Sequence, residues 1–228
     1  GRQHHKHGVH LRFGHHGTAG GILRQQGGRV GLLDLDFHGP SVHLILGAKS
    51  LTPAEDRGLI PPEIHGIKIM SIVPYVGEGP SALRGSDVTQ AFIELLAITR
   101  WGALDILLID MPPGSGDEVL DVVRIIPKAE FLVVSTPSKL SLPTVRRLLL
   151  LLKELKVPVV GVVENMAGEE DSSVKELCGE TGFRFLGFLP YDPEVERAIE
   201  KPELLLKTGF AKAVAEKLWA ISPSGPKR

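Results

Sequence analysis

A chain of 228 residues with 43% hydrophobic and 23% charged side chains suffices for one α/β domain and is too apolar for a disordered segment. A formal net charge of −1 gives no global pull toward nucleic acid or an anionic membrane. The single cysteine, Cys178, excludes an intrachain disulfide framework, and no apolar run reaches the roughly 20 residues of a membrane span. The His- and Arg-rich start lacks the apolar segment of a secretory signal, so a cytosolic setting is expected.

From Gly28 onward, short β-branched apolar runs alternate with longer helical patterns. Arg29–Asp36 reads as a buried strand and Ile67–Tyr75 as a second. Ser86–Gly102 has apolar residues at Val88, Phe92, Leu95 and Leu96, which predicts a helix with Ser86 as its N-cap. Leu104–Pro112 is apolar on both faces, as a central parallel strand requires. Ala129–Pro137 is the next strand. Leu142–Val157 is a long helix whose leucine run, Leu148 to Leu152, faces the core. Val157–Met166 and Phe183–Asp192 are the last strands, and two helical stretches follow before the tail Ser222–Arg228. Trp101 and Trp219 read as packing residues. Alternation of this kind predicts a doubly wound, mostly parallel sheet with helices on both faces. Residues 1–220 are read as a single nucleotide-binding domain, with 1–28 anomalous and 221–228 disordered.

In an open α/β sheet, ligands bind at the carboxyl ends of the strands. Those ends carry the polar and glycine-rich material of this chain. In "LLIDMPPGSGDE", three apolar positions lead to Asp110, a carboxylate placed to hold the water shell of Mg²⁺ beside a nucleotide's terminal phosphates. Gly114 and Gly116 can bring backbone N–H groups close to a phosphate or let the loop switch. A strand-ending aspartate can also simply cap a helix; the whole loop argues against that plainer reading. "LLDLDFHGPS" supplies a second acidic strand end. There Asp36 can polarise a water or sit by the metal, and Asp34 can orient Asp36 or bind backbone.

The segments "GLLDLDFHGPSVHLILG", "WGALDILLIDMPPGSGDEVLDV", "STPSKLSLPTVRR", "VPVVGVVENMAG" and "FLGFLPYDPEVERAIE" resemble the Mrp/ApbC-type P-loop ATPases of the SIMIBI class. These are iron–sulfur cluster carriers and scaffolds related to the MinD/ParA ATPases. The resemblance runs in unbroken order from about Gly28 to Glu200. It implies an ATP-binding homodimer that delivers clusters to apo iron–sulfur acceptor proteins. It implies Asp36 and Asp110 as the catalytic, Mg²⁺-side carboxylates and Pro113, Gly114 and Gly116 as a switch loop. Asn165 would hydrogen-bond the adenine of ATP or ADP, and Pro190 to Pro193, including Asp192, would line base and ribose through their backbone. A MinD/ParA-like positioning ATPase and a hydrolysis-deficient nucleotide-binding partner subunit are the alternatives.

Two family elements are missing. The expected "GKGGVGKST" loop, whose backbone and lysine hold the β- and γ-phosphates, has no counterpart. Aligning Lys6-His7-Gly8-Val9 with its start puts Leu11 at the lysine position and Arg12 at the Mg²⁺-binding hydroxyl position. The glycine-rich Gly14–Gly21 has no lysine. A lost charge-assisted phosphate contact costs on the order of 1.5–3 kcal/mol. Six of the nine histidines fall in the first sixteen residues. A metal-binding tract, a disordered arm, a divergence that disables hydrolysis and a frame-shifted stretch all fit this segment, the last best. Cysteine is the second gap. Many relatives carry a Cys-x-x-Cys pair after "ENM" that bridges a [4Fe–4S] cluster across the dimer, whereas this chain offers Cys178 alone.

Overall fold

The computed structural model describes residues 9–12, 29–36, 42–48, 50–71, 86–112, 116–167 and 173–220. The expectations for Lys6, Pro113, Gly114, the glycine-rich stretch 14–21 and the tail 221–228 lie outside these residues.

The strands are β1 (Val9–Arg12), β2 (Val30–Asp34), β3 (Ala54–Glu55), β4 (Leu59–Ile60), β5 (Glu63–Ile64), β6 (Ile67–Ser71), β7 (Ile106–Asp110), β8 (Glu130–Ser135), β9 (Val159–Ala167) and β10 (Phe185–Pro190). The helices are α1 (Val42–Ile45), α2 (Ser86–Ile98), α3 (Asp117–Ile125), α4 (Leu142–Glu154), α5 (Ser173–Thr181), α6 (Pro193–Arg197), α7 (Pro202–Leu205) and α8 (Gly209–Ala220). Every strand and long helix read from residue 29 onward is present among the described residues, with ends that differ by a few residues; positions 72–75 of the second strand lie outside them. Ser86 is the first helical residue rather than the cap, a shift within the usual uncertainty of helix ends.

The main sheet has the order β10-β9-β8-β1-β7-β2-β6-β5. Strands β10, β9 and β8 pair in parallel, as do β7, β2 and β6. Strands β1 and β5 run against their neighbours. The sheet is therefore mostly parallel, as expected, with one reversed strand at its centre. β3 and β4 form a small separate hairpin, tied to the end of α2 through Arg100, which donates to Asp56.

Alternation along the strands sorts the core. Leu33, Ile109, Phe131, Val133 and Val162 bury one face in a single cluster with Phe92 and Leu95 of α2, Val119 and Val122 of α3, Leu148, Leu149 and Leu152 of α4, and Leu177 of α5. Leu148, Leu149 and Leu152 are buried as predicted, while Leu150 faces solvent. Trp101 packs against this cluster, and together with Leu104 and Leu107 it crowds the space a side chain at Gly31 would need. The opposite face carries smaller clusters, Val30 with Ile106 and Val42 with Leu51 and Ile69. Thr89 of α2 donates to Asp121 of α3 at 2.5 Å, linking those helices.

The chain-order reading placed no element at α1, β3, β4, β5 or α7, which are all two to four residues long, and no strand in the first 28 residues. Val9–Arg12 forms β1, inserted between β7 and β8 and antiparallel to both. Four residues suffice because β7 and β8 each offer a row of backbone donors and acceptors that a central slot must satisfy.

Candidate functional site

Register aligns the acidic strand ends. Asp34 lies opposite Asp110 on one side and opposite Ser71 on the other, so three polar residues share one level at the carboxyl ends of β6, β2 and β7. Strand alternation puts them on the same side as Leu32 and Leu108, away from the large core cluster. Asp34 is fully buried. Its Oδ1 accepts the backbone N–H of Asp36 at 3.1 Å, and its Oδ2 accepts the Ser71 hydroxyl at 3.5 Å. Asp34 thus binds backbone, one of the two roles open to it. It holds the turn that carries Asp36. One residue further on, Leu35 N–H donates to the Asp110 carbonyl at 2.9 Å, so the same turn is stitched to the end of β7.

The structure thus brings Asp36 and Asp110 to neighbouring strand ends. Ser71 joins them and was not foreseen. Its only signal in the sequence is a hydroxyl inside the apolar run "IKIMSIVPY". Gly116 sits at the N-cap of α3 on the same edge, where a Cβ would collide with the Glu118 carboxylate. Asp117 and Glu118 occupy the first helical turn, where the helix dipole favours acidic groups.

The residues expected to meet the base lie two and three strands away from β1. Asn165 pairs with Leu189 and Ala167 with Pro190 at the carboxyl ends of β9 and β10. Asn165 Oδ1 accepts the N–H of Met166 at 2.9 Å, which orients the amide and leaves its NH₂ group without a protein acceptor among the described residues. Met166 takes a left-handed conformation, φ 57°, which costs about 1 kcal/mol for a residue with a Cβ. The side chain of Asp192 joins two helix starts, while the expectation for this residue concerned its backbone. Its Oδ1 caps α6 through Glu194 N–H and its Oδ2 accepts Phe210 N–H at the start of α8. These backbone donors, Phe210 first, hold its carboxyl below the ordinary range.

Cys178 is remote from this edge in character. It lies on α5, 2% exposed and part of the large core cluster. Burial, reinforced by Glu164, pushes its thiol up to about 11. A cluster ligand must be an accessible thiolate. The one cysteine of the chain does not fit that requirement.

A divalent cation is compatible with the acidic edge. Mg²⁺ typically takes one or two carboxylates together with phosphate oxygens and water, and Asp36 and Asp110 are hard oxygen donors. Among the described residues no group of three or more His, Cys, Asp or Glu could hold a metal by itself. None of the described helices is long and apolar enough to cross a membrane.

A family model described as ParA, NUBPL iron-transfer P-loop NTPase, matches residues 18–222 and so begins after β1. The chain is 34% identical over 217 residues to an iron–sulfur cluster carrier protein of Aquifex aeolicus, covering 88% of this chain and 59% of that one. It is 36% identical over 203 residues to an iron–sulfur cluster carrier protein of Methanocaldococcus jannaschii, covering 81% of this chain and 70% of the relative. The chain thus spans little more than half the length of several curated relatives it matches. A solved nucleotide-binding protein of Archaeoglobus fulgidus in complex with ADP superimposes with a TM-score of 0.66 at 30% identity, over 81% of this chain and 77% of the other. The cell-division ATPase MinD of Pyrococcus furiosus shares the fold at 18% identity and a TM-score of 0.60, over 88% of this chain and 89% of its own. The chain belongs to the ParA family of P-loop NTPases, in the branch described by the NUBPL iron-transfer proteins.

Proposed function

We propose that this chain is a nucleotide-binding component of iron–sulfur cluster transfer, working in the cytosol as a homodimer that serves apo acceptor proteins. ATP or ADP would lie along the carboxyl edge of the sheet. Asp36 and Asp110 would hold Mg²⁺, the Gly114–Gly116 loop would approach the phosphates, and Asn165 with the backbone of Pro190 to Asp192 would take the base. When bound, the metal would neutralise phosphate charge. The observation that carries this reading is the register of Asp34, Ser71 and Asp110 at one edge, with Asp34 fixing the turn of Asp36.

Within this arrangement the chain's own residues have defined tasks. Asp34 positions the Asp36 backbone and Ser71 positions Asp34. Asp36 and Asp110 bring two acidic oxygens to neighbouring strand ends. Asn165 presents amide donors, which match the ring-nitrogen acceptors of adenine.

The reversed β1 and the core position of Cys178 favour one version of this function, a subunit that binds nucleotide without hydrolysing it while another chain ligates the cluster. Anaerobic incubation with iron and sulfide, with and without ATP and Mg²⁺, separates the versions. The partner-subunit version expects saturable nucleotide binding by calorimetry and no cluster absorbance on the chain alone. A cluster that forms on the chain and passes to an apo acceptor would establish the self-sufficient carrier instead. Absence of any nucleotide binding would remove both.

A further inference from the structure

The segment after β10 does not stay at its own end of the sheet. Pro190 closes β10, and Asp192 opens α6 two residues later. Three residues past α6, Glu200 N–H donates to the Leu44 carbonyl of α1 at 3.1 Å. α1 begins six residues after Asp36 and packs Val42 against Leu51 and Ile69. β10 is the first strand of the sheet order and β2 the sixth, which separates them by about 24 Å at the usual strand spacing. Residues 191–200 thus tie the end of the sheet that holds Asn165 to the helix that follows Asp36.

This contact is built so that it can open and close. Glu200 is held in the left-handed conformation, φ 66°. A left-handed residue can simply end a helix, and the N–H groups there then bond back to that helix. The Glu200 N–H goes to α1 instead, so its strain serves the contact between the two segments. Gly47 ends α1, also left-handed at φ 63°, and a Cβ there would lie 2.5 Å from the Glu200 carbonyl oxygen. The two backbones touch, and among the described residues one backbone hydrogen bond joins them. Apolar burial adds little, because Leu44, Ile45 and Ile199 stay 37 to 45% exposed. The cost of a left-handed residue with a Cβ is of the same order as the net gain from one backbone hydrogen bond. Closed and open forms are then close in free energy, and a modest bias decides between them.

We propose that the Glu200–Leu44 contact is a latch that couples the two ends of the nucleotide site. A base seated at the ends of β9 and β10 orders the segment after Pro190 and favours the closed latch. The closed latch steadies α1, which anchors the chain beyond Asp36. By linkage, a cation held at Asp36 favours base binding by the same factor. The proposal rests on the nucleotide reading above and adds a regulation of that site.

The test is amide hydrogen exchange of the full chain with and without adenosine, which has no phosphate to reach Asp36. In the unmodified chain, adenosine is expected to slow exchange at the ends of β9 and β10 and, about twofold, at residues 42–48. Glu200→Gly removes the strain and should slow exchange at 42–48 about threefold without any ligand. Glu200→Pro removes the N–H and forbids a positive φ. It should speed exchange at 42–48 about twofold and confine the effect of adenosine to β9 and β10. Circular dichroism checks the fold of both variants, and Glu200→Gly with the unmodified chain decides the matter if Glu200→Pro does not fold. Adenosine that slows β9 and β10 but not 42–48 in the unmodified chain would overturn the latch and leave the nucleotide reading standing. So would exchange at 42–48 that Glu200→Gly leaves unchanged, or that still responds to adenosine in Glu200→Pro. No slowing anywhere with adenosine, nor with ADP and Mg²⁺, would overturn the nucleotide reading and the latch with it.

Discussion

Strands β1 and β2 flank the same strand, β7, and point in opposite directions. β2 pairs with β7 over five residues and delivers Asp34 level with Asp110, at the carboxyl edge of the sheet. β1 pairs with β7 at His10 and Leu11 and delivers its C-terminal residue, Arg12, to the other edge. Both strands satisfy the backbone of β7. Only β2 brings acidic residues level with Asp110 at the carboxyl edge. In this fold the direction of a strand, as well as its position in the sheet, decides which loop can meet the ligand.

The largest effect is expected at the working strand. Asp34→Ala removes a buried carboxylate that accepts the Asp36 N–H and the Ser71 hydroxyl, and should cost about 3 kcal/mol in urea unfolding. Nucleotide binding that depends on Mg²⁺ should be lost with it, because the Asp36 turn is no longer fixed. A neutral Asp34→Ala would mean that the end of β2 is organised by something else. The next effect tests the other neighbour. Leu11→Pro takes a backbone donor from the centre of the sheet, where proline is not tolerated, and should cost about 2 kcal/mol. An unchanged urea midpoint would show that β1 does not bear on the sheet, and would dissolve the contrast with β2.

The difference between the two strands also explains what could be read in advance. β2 announces itself by a continuous apolar run closed by Asp34 and Asp36, and β7 by the same device at Asp110. The strand–helix alternation after residue 28 follows from periodicity alone, and the structure follows it closely. β1 is "VHLR", a two-residue alternation of apolar and polar side chains only four residues long, set in a histidine-rich stretch. Such a run is too short to identify a strand, and direction is not a property of any local pattern. Ser71 was hidden for another reason. Its contact with Asp34 spans 37 residues and exists only through the register of β6 on β2. The side-chain role of Asp192 depends likewise on α8 folding back to place Phe210 N–H beside it.

The smallest expected effect lies at the opposite edge of the same pair of strands. There Asp105, just before β7, accepts the backbone N–H of Arg29 at 2.7 Å and its guanidinium at 3.0 and 3.1 Å, joining the starts of β2 and β7. Hydrogen bonds from the Arg29 side chain, then from its backbone, lower the Asp105 carboxyl from 3.8 to about 2. A group whose folded value lies below its unfolded value stabilises the fold only while it is ionised. That contribution is complete above about pH 4 and disappears as the pH falls toward 2. Asp105→Asn should therefore lower the urea midpoint slightly and by a constant amount between pH 5 and 8, the gap narrowing below about pH 4 and closing near pH 2. The pair is at the surface, so added salt should narrow the gap at neutral pH as well. A gap that persists at pH 2 would mean that Asp105 joins the two strands by shape rather than by charge. The far edge would then resemble the ligand edge, where Asp34 works by accepting a backbone bond.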